Sequence, residues 1–241
     1  MNFKIGTVYL GFALTGIVTT MLGYLLPLLA AQWTLNDAQA GRLFLAQFIS
    51  SPTGSLIASR VLARWGAAWT VPIGMLLIAI GVLMLNSSSL TLGVAGISFY
   101  GLGLGFALPS TNFLVVEMVQ TGRAAALNLL NFMWTIGALA APLAISKMLR
   151  PVGLGGFLVC LAAATLVVGL VEAVAFPKHS EQGTSVHRGN ISRQRRLPFA
   201  VLSFVFLFLY VGIENGFAGW VPTFTLRAQH ATPQITANVQ S

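Results

Sequence analysis

The sequence predicts an all-α membrane protein, a six-helix bundle followed by the first helix of a second bundle, and three observations predict it. Hydrophobic residues make up 56% of the chain and charged residues only 7%, whereas a soluble domain carries about a quarter charged. Six apolar runs of membrane length precede one long polar interval, PKHSEQGTSVHRGNISRQRRLP, and one follows it. That interval sets Lys178, Arg188, Arg193, Arg195 and Arg196 against the single acid Glu181, the composition of a loop held on the cytoplasmic side of a membrane.

The spans follow in order. The uncharged run after Lys4 gives a first span over Thr7 to Ala31, too long for the apolar core of a signal peptide. The second covers Leu43 to Leu62, the third Ala67 to Leu85, the fourth Leu90 to Val116, the fifth Ala124 to Met148 and the sixth Leu154 to Phe176. The seventh covers Phe199 to Val221. Each approaches the roughly 20 residues that cross a hydrocarbon core. The chain therefore divides into a bundle at 1–176, a basic cytoplasmic loop at 177–198, and a seventh helix with a polar tail at 199–241.

Charge placement orients the bundle. With the amino terminus inside, Lys4, Arg60, Arg64, Arg123, Lys178, Arg188, Arg193, Arg195 and Arg196 fall on the cytoplasmic side, and Arg42, Lys147, Arg150 and Arg227 fall outside. That asymmetry is the one the positive-inside rule expects of a cytoplasmic membrane protein, here a bacterial-type inner membrane. The net charge of +8 is accordingly a matter of topology and anionic headgroups, and no nucleic-acid partner is expected.

Polar and small residues inside the spans are the candidates for function. Gly101 and Gly105 form a small-xxx-small face in the fourth span, where another helix backbone approaches closely. Pro109 frees a carbonyl one turn earlier, beside Ser110, Thr111 and Asn112, a group suited to a polar solute. In the fifth span Asn128, Asn131 and Trp134 recur every third residue and share one stripe. Amides in this position clamp helices together or line a cavity, and both readings stand. Among the acids, Glu214 in YVGIENGFAGW, with Asn215 beside it, is expected to face a watery pathway. Glu172 is expected to pair at the interface with the basic loop, and Glu117 to form an inter-helix ion pair.

The segment Ser59-Arg60-Val61-Leu62-Ala63-Arg64-Trp65-Gly66 resembles the cytoplasmic signature of the major facilitator superfamily. Arg64 and Gly66 match; Ala63 stands for the acid, Ser59 for the leading glycine, and Ala67 and Ala68 for the trailing bases. Glu117 and Arg123 sit where that family places an acid and a base, so Arg64, Glu117 and Arg123 are the implied gating residues. GLGLGFALPSTN and YVGIENGFAGW are similar to the fucose permease and sodium-dependent glucose transporter branch. Gly23 and Leu108 occupy the positions nearest that branch's coupling carboxylates, so its proton scheme does not carry over.

The resemblance implies a secondary active transporter, of symporter type, that moves a small polar solute such as a sugar by alternating access. Asn112, Asn128, Asn131, Trp134, Glu214, Asn215 and Trp220 are its expected solute residues, and the coupling ion is left open between proton and sodium. Relatives have twelve spans in two halves, so the chain reads as a transporter truncated after its seventh span. An efflux protein for amphipathic compounds and a transport-inactive membrane product are the alternatives. No cofactor, metal or enzymatic activity is expected: His179, His187 and His230 lie in loops without ligand spacing, and Cys160 has no cysteine to pair with.

Overall fold

The computed structural model describes residues 3–176 together with 201–203, 205–206, 209–210, 212–213, 217, 220–221 and 223–225. The basic interval, Glu214, Asn215 and the polar tail lie outside the described residues. Every regular element described is helical: α1 (Phe3–Gln32), α2 (Asp37–Trp65), α3 (Ala67–Met84), α4 (Leu90–Met118) and α5 (Arg123–Ala175). The described positions between 201 and 221 are helical as well.

The six expected spans map onto these five helices because the fifth and sixth join end to end. α5 runs for 53 residues and bends at Gly153, whose φ of 69° and ψ of 179° interrupt the helical torsions. This gives two arms, 123–152 and 154–175, each long enough to cross a bilayer. α1, α3, α4 and α5 are long and apolar enough to span on composition. α2 is 29 residues long but much more polar, and it earns its place differently. Its outward stripe carries Leu45, Phe48, Ile49 and Leu56, all exposed, while Gln47, Ser50 and Gly54 are buried on the opposite face. The helix is amphipathic with its apolar side out, the arrangement lipid favours.

The helices pack in a fixed set of pairs: α3 on α4, α1 on α5, α2 on α4 and α3 on α5. Two glycine faces of α4 make its double contact possible. A Cβ at Gly101 or Gly105 would run into Ser50, Ser51 and Ser55 of α2, and one at Gly103 would lie 2.6 Å from the Gly74 carbonyl of α3. Close backbone approach of this kind is what small residues permit in a membrane, where apolar burial supplies little drive between helices. Gly16 of α1 meets the backbone of Trp134 and Ala138 in the first arm of α5, and Gly137 meets Ala13 in return.

Polar groups tie the apolar packing together. Tyr100 of α4, fully buried, donates to Gln47 Oε1 at 3.0 Å, and Gln47 Nε2 donates to the Thr19 carbonyl of α1 at 3.2 Å. At the far end of α1, Gln32 Nε2 and Trp33 Nε1 both donate to the Ser87 carbonyl, at 2.9 and 3.0 Å. The Trp33 ring lies over Gly93, where a Cβ would displace it. Asn36 caps α2 in a reciprocal box with Gln39. The larger core joins Met21, Leu25, Ile78, Tyr100 and Leu158; a second, at the end holding the amino terminus, joins Tyr9, Phe12, Val71, Leu114 and Leu130.

Candidate functional site

The first arm of α5 carries the stripe read from the sequence. Asn128 and Asn131 are exposed, and Trp134, one turn further, is half-buried. Asn131 Nδ2 donates to the Leu127 carbonyl of its own helix at 3.1 Å, and Thr135 Oγ1 donates to the Asn131 carbonyl at 3.0 Å. Each bond ties a polar side chain to the preceding turn, so the Asn131 amide presents its oxygen outward. Trp134 Nε1 is covered and has no acceptor, an indole donor left over in a place where a buried donor normally finds a partner. The Trp134 backbone lies against Gly16 of α1, and Trp134 packs on the core that includes Val8, Tyr9 and Phe12 of the same helix. Clamping amides would be buried between helices; these two are not.

The Pro109 segment differs from the expectation. Proline at this position leaves the Gly105 carbonyl without its helical donor, and Ser55 Oγ of α2 supplies one at 3.1 Å. The freed carbonyl is thus a rivet between α2 and α4 and is closed to a solute. Ser110 is fully buried with its hydroxyl unpartnered, and Thr111 is buried too. Asn112 alone reaches the half-exposed zone, with Nδ2 on the Leu108 carbonyl at 2.8 Å.

Trp220 lies elsewhere. It packs on the larger core and lines a cavity of about 500 Å³ with Pro27, Thr34, Asp37 and Thr223, at the corner where α1 gives way to α2. Thr223 is 8% exposed and its hydroxyl has no partner. The expected solute residues therefore fall in three places, the α5 stripe, Asn112 on α4 and the Trp220 corner, while Glu214 and Asn215 lie outside the described residues.

At the amino-terminal end, Arg64 closes α2 and Glu117 approaches the end of α4, both exposed, with no ion pair between them among the described residues. Arg123 Nε donates to the Val119 carbonyl at 3.0 Å, bracing the short α4–α5 connection. Glu172 is 1% exposed and faces Gly11 of α1; the basic loop it was expected to pair with lies outside the described residues. Sequence reasoning missed this site and the Gln47–Tyr100 pair. Its one available signal was an acid deep in an apolar run.

The family model of the Major Facilitator Superfamily matches residues 8–239. Among solved structures, the chain is similar to the POT family transporter PepTSo, with a TM-score of 0.63 and 16% identity over 98% of this chain and 53% of that one. The chain spans about half the length of that transporter, and at this identity the likeness is one of fold. No curated protein matches the sequence.

Proposed function

This chain belongs to the major facilitator superfamily, and from that membership we propose that it serves secondary active transport, moving a small polar solute of the sugar class across the cytoplasmic membrane by alternating access. The observation that carries the solute class is the α5 stripe. Two exposed amides and a half-buried indole on the same stripe are groups that replace water around hydroxyls and cover the flat face of a sugar ring. The stripe lies on an outward face of the bundle, where the fold's second half would meet the first and enclose the solute near the midplane. The fucose permease and glucose transporter resemblance in the fourth and seventh spans points the same way. The amino terminus is assigned to the cytoplasm on the asymmetry of basic residues. Arg64 and Glu117, unpaired with each other in this conformation, form a cytoplasmic latch in the opposite one, with Arg123 bracing its corner.

Binding tests the proposal directly. The full chain in lipid nanodiscs, screened against a panel of mono- and disaccharides by thermal shift and tryptophan fluorescence, is expected to bind at least one sugar. Asn128→Leu and Asn131→Leu each remove one polar contact, worth about 1.4 kcal/mol or about tenfold in affinity. A panel with no binder, or variants that bind a sugar as well as the parent, overturns the assignment.

A further inference from the structure

Glu172 lies in the second arm of α5 among apolar neighbours. It is 1% exposed, and its Oε2 is buried with no hydrogen-bond partner. A Cβ at Gly11 of α1 would lie 2.8 Å from Oε1, 2.9 Å from the Met75 side chain of α3 and 3.2 Å from that of Val168. Glycine at position 11 thus leaves the space the carboxyl fills, at the junction of α1, α3 and α5.

The titratable groups on the elements around it can be named in full. α3 has none. α1 has Lys4, Tyr9 and Tyr24: Lys4 is exposed two turns away at the helix start, and the Tyr9 hydroxyl reaches the Ala126 carbonyl at 3.4 Å. Glu172 shares α5 with Arg123, Lys147, Arg150 and Cys160, all exposed; Arg123 opens the first arm at the same end of the bundle, with its Nε on the Val119 carbonyl. On α4, Tyr100 is committed to Gln47 and Glu117 is exposed at the end. No base stands against the carboxyl among the described residues. Among the described residues an ionised carboxylate here would have neither counter-charge nor a donor on Oε2, whereas the neutral acid leaves no charge to be desolvated.

We propose that Glu172 is a proton-binding site, occupied in this conformation, and that a proton leaves it only when α1 draws away from α5 and water reaches the junction. The step is a simple acid dissociation: the O–H bond breaks, its electron pair stays on the carboxylate, and water accepts the proton. The part of this proposal that makes the proton a coupling ion rests on the transporter reading; occupancy of the site does not.

Infrared spectroscopy of the full chain in nanodiscs, titrated from neutral to alkaline pH without any solute, tests it. The parent chain is expected to show the C=O stretch of a protonated carboxylic acid at neutral pH. That band is lost in Glu172→Gln, kept in Glu117→Gln, and bleached as the pH rises. The thermal midpoint of the parent falls with rising pH while the band persists, because the unfolded chain has already released the proton that the folded state retains, and it levels off once the band is bleached; the midpoint of Glu172→Gln does not show that fall. A parent spectrum with no such band at neutral pH overturns the proposal without recourse to any variant, and so does a band that survives Glu172→Gln. Either result leaves the sugar-binding assignment standing, and a failed sugar panel leaves the band untouched.

Discussion

Gly105→Ala is the sharpest probe of how the bundle is held together. A Cβ there would overlap the Ser51 carbonyl and lie 2.7 Å from the Ser55 amide nitrogen and 2.9 Å from Gly54 Cα. All three are backbone atoms, so no side chain can swing aside; clearing the Ser55 nitrogen alone to ordinary contact at 3.4 Å takes ~0.7 Å, and the nearer Ser51 carbonyl requires α2 and α4 to part further still. That displacement stretches the Ser55 Oγ to Gly105 carbonyl bond beyond hydrogen-bonding range, and Pro109 has already removed the carbonyl's helical donor. Overpacking costs about 1–3 kcal/mol, and the orphaned carbonyl adds about 1 kcal/mol. The total, about 2–4 kcal/mol, corresponds to a drop of very roughly 4–16 °C in the thermal midpoint at this chain length. Ser55→Ala, which loses the bond without moving the helices, should lose only the smaller part. Thermal unfolding of both variants in one detergent checks the order. A Gly105→Ala chain as stable as the parent, or one more stable than Ser55→Ala, refutes the view that backbone contact and the Pro109 rivet hold α2 on α4.

Three further outcomes follow from the geometry. Tyr100→Phe removes the hydroxyl that donates to Gln47 and should cost about 1 kcal/mol; in a double-mutant cycle with Gln47→Leu, the two losses should fall short of additive by a similar amount. Gly153→Ala should destabilise by about 1–3 kcal/mol through the backbone alone, since a Cβ there meets nothing within 4 Å and only the torsions object; thermal unfolding reads it. Gly122, at φ 75° and ψ 29°, is in the left-handed region that asparagine tolerates, so Gly122→Asn should cost much less than Gly153→Ala in the same assay.

The spans were legible because uninterrupted apolar runs of that length have few other uses, and residues Ala67 to Leu85 and Leu154 to Phe176 fell within one residue of the helices observed. α2 was legible at lower resolution: Asp37 to Arg42 is polar and was left outside the span, yet it is helical from its Asn36 cap onward. The join of the fifth and sixth spans was hidden, since the apolar runs leave a gap between Met148 and Leu154, whereas the helix continues through Pro151 and turns only at Gly153. At the site, three-residue spacing placed Asn128, Asn131 and Trp134 on one face, because helical geometry is local. The role of Pro109 was not legible, because it depends on which helix lies opposite. GLGLG announces that a neighbour comes close, but the chain does not say that the neighbour brings Ser55. The surroundings of Glu172 were not legible for the same reason: they are made by Gly11 and Met75, more than ninety positions away in sequence.

The Ser87 carbonyl, gripped by Gln32 at the end of α1 and by Trp33 just beyond it, bears on how such a bundle moves. Both lone pairs of that oxygen are occupied, and the Trp33 ring that makes one of the bonds also roofs Gly93, so sliding α1 past the α3–α4 turn would break two bonds and uncover a buried ring together. This corner travels as one piece. Tilting is left to the opposite rim, where α2 passes to α3 through Gly66 alone and α4 passes to α5 through a few residues ending at Gly122. The molecule is stitched at one mouth and jointed at the other.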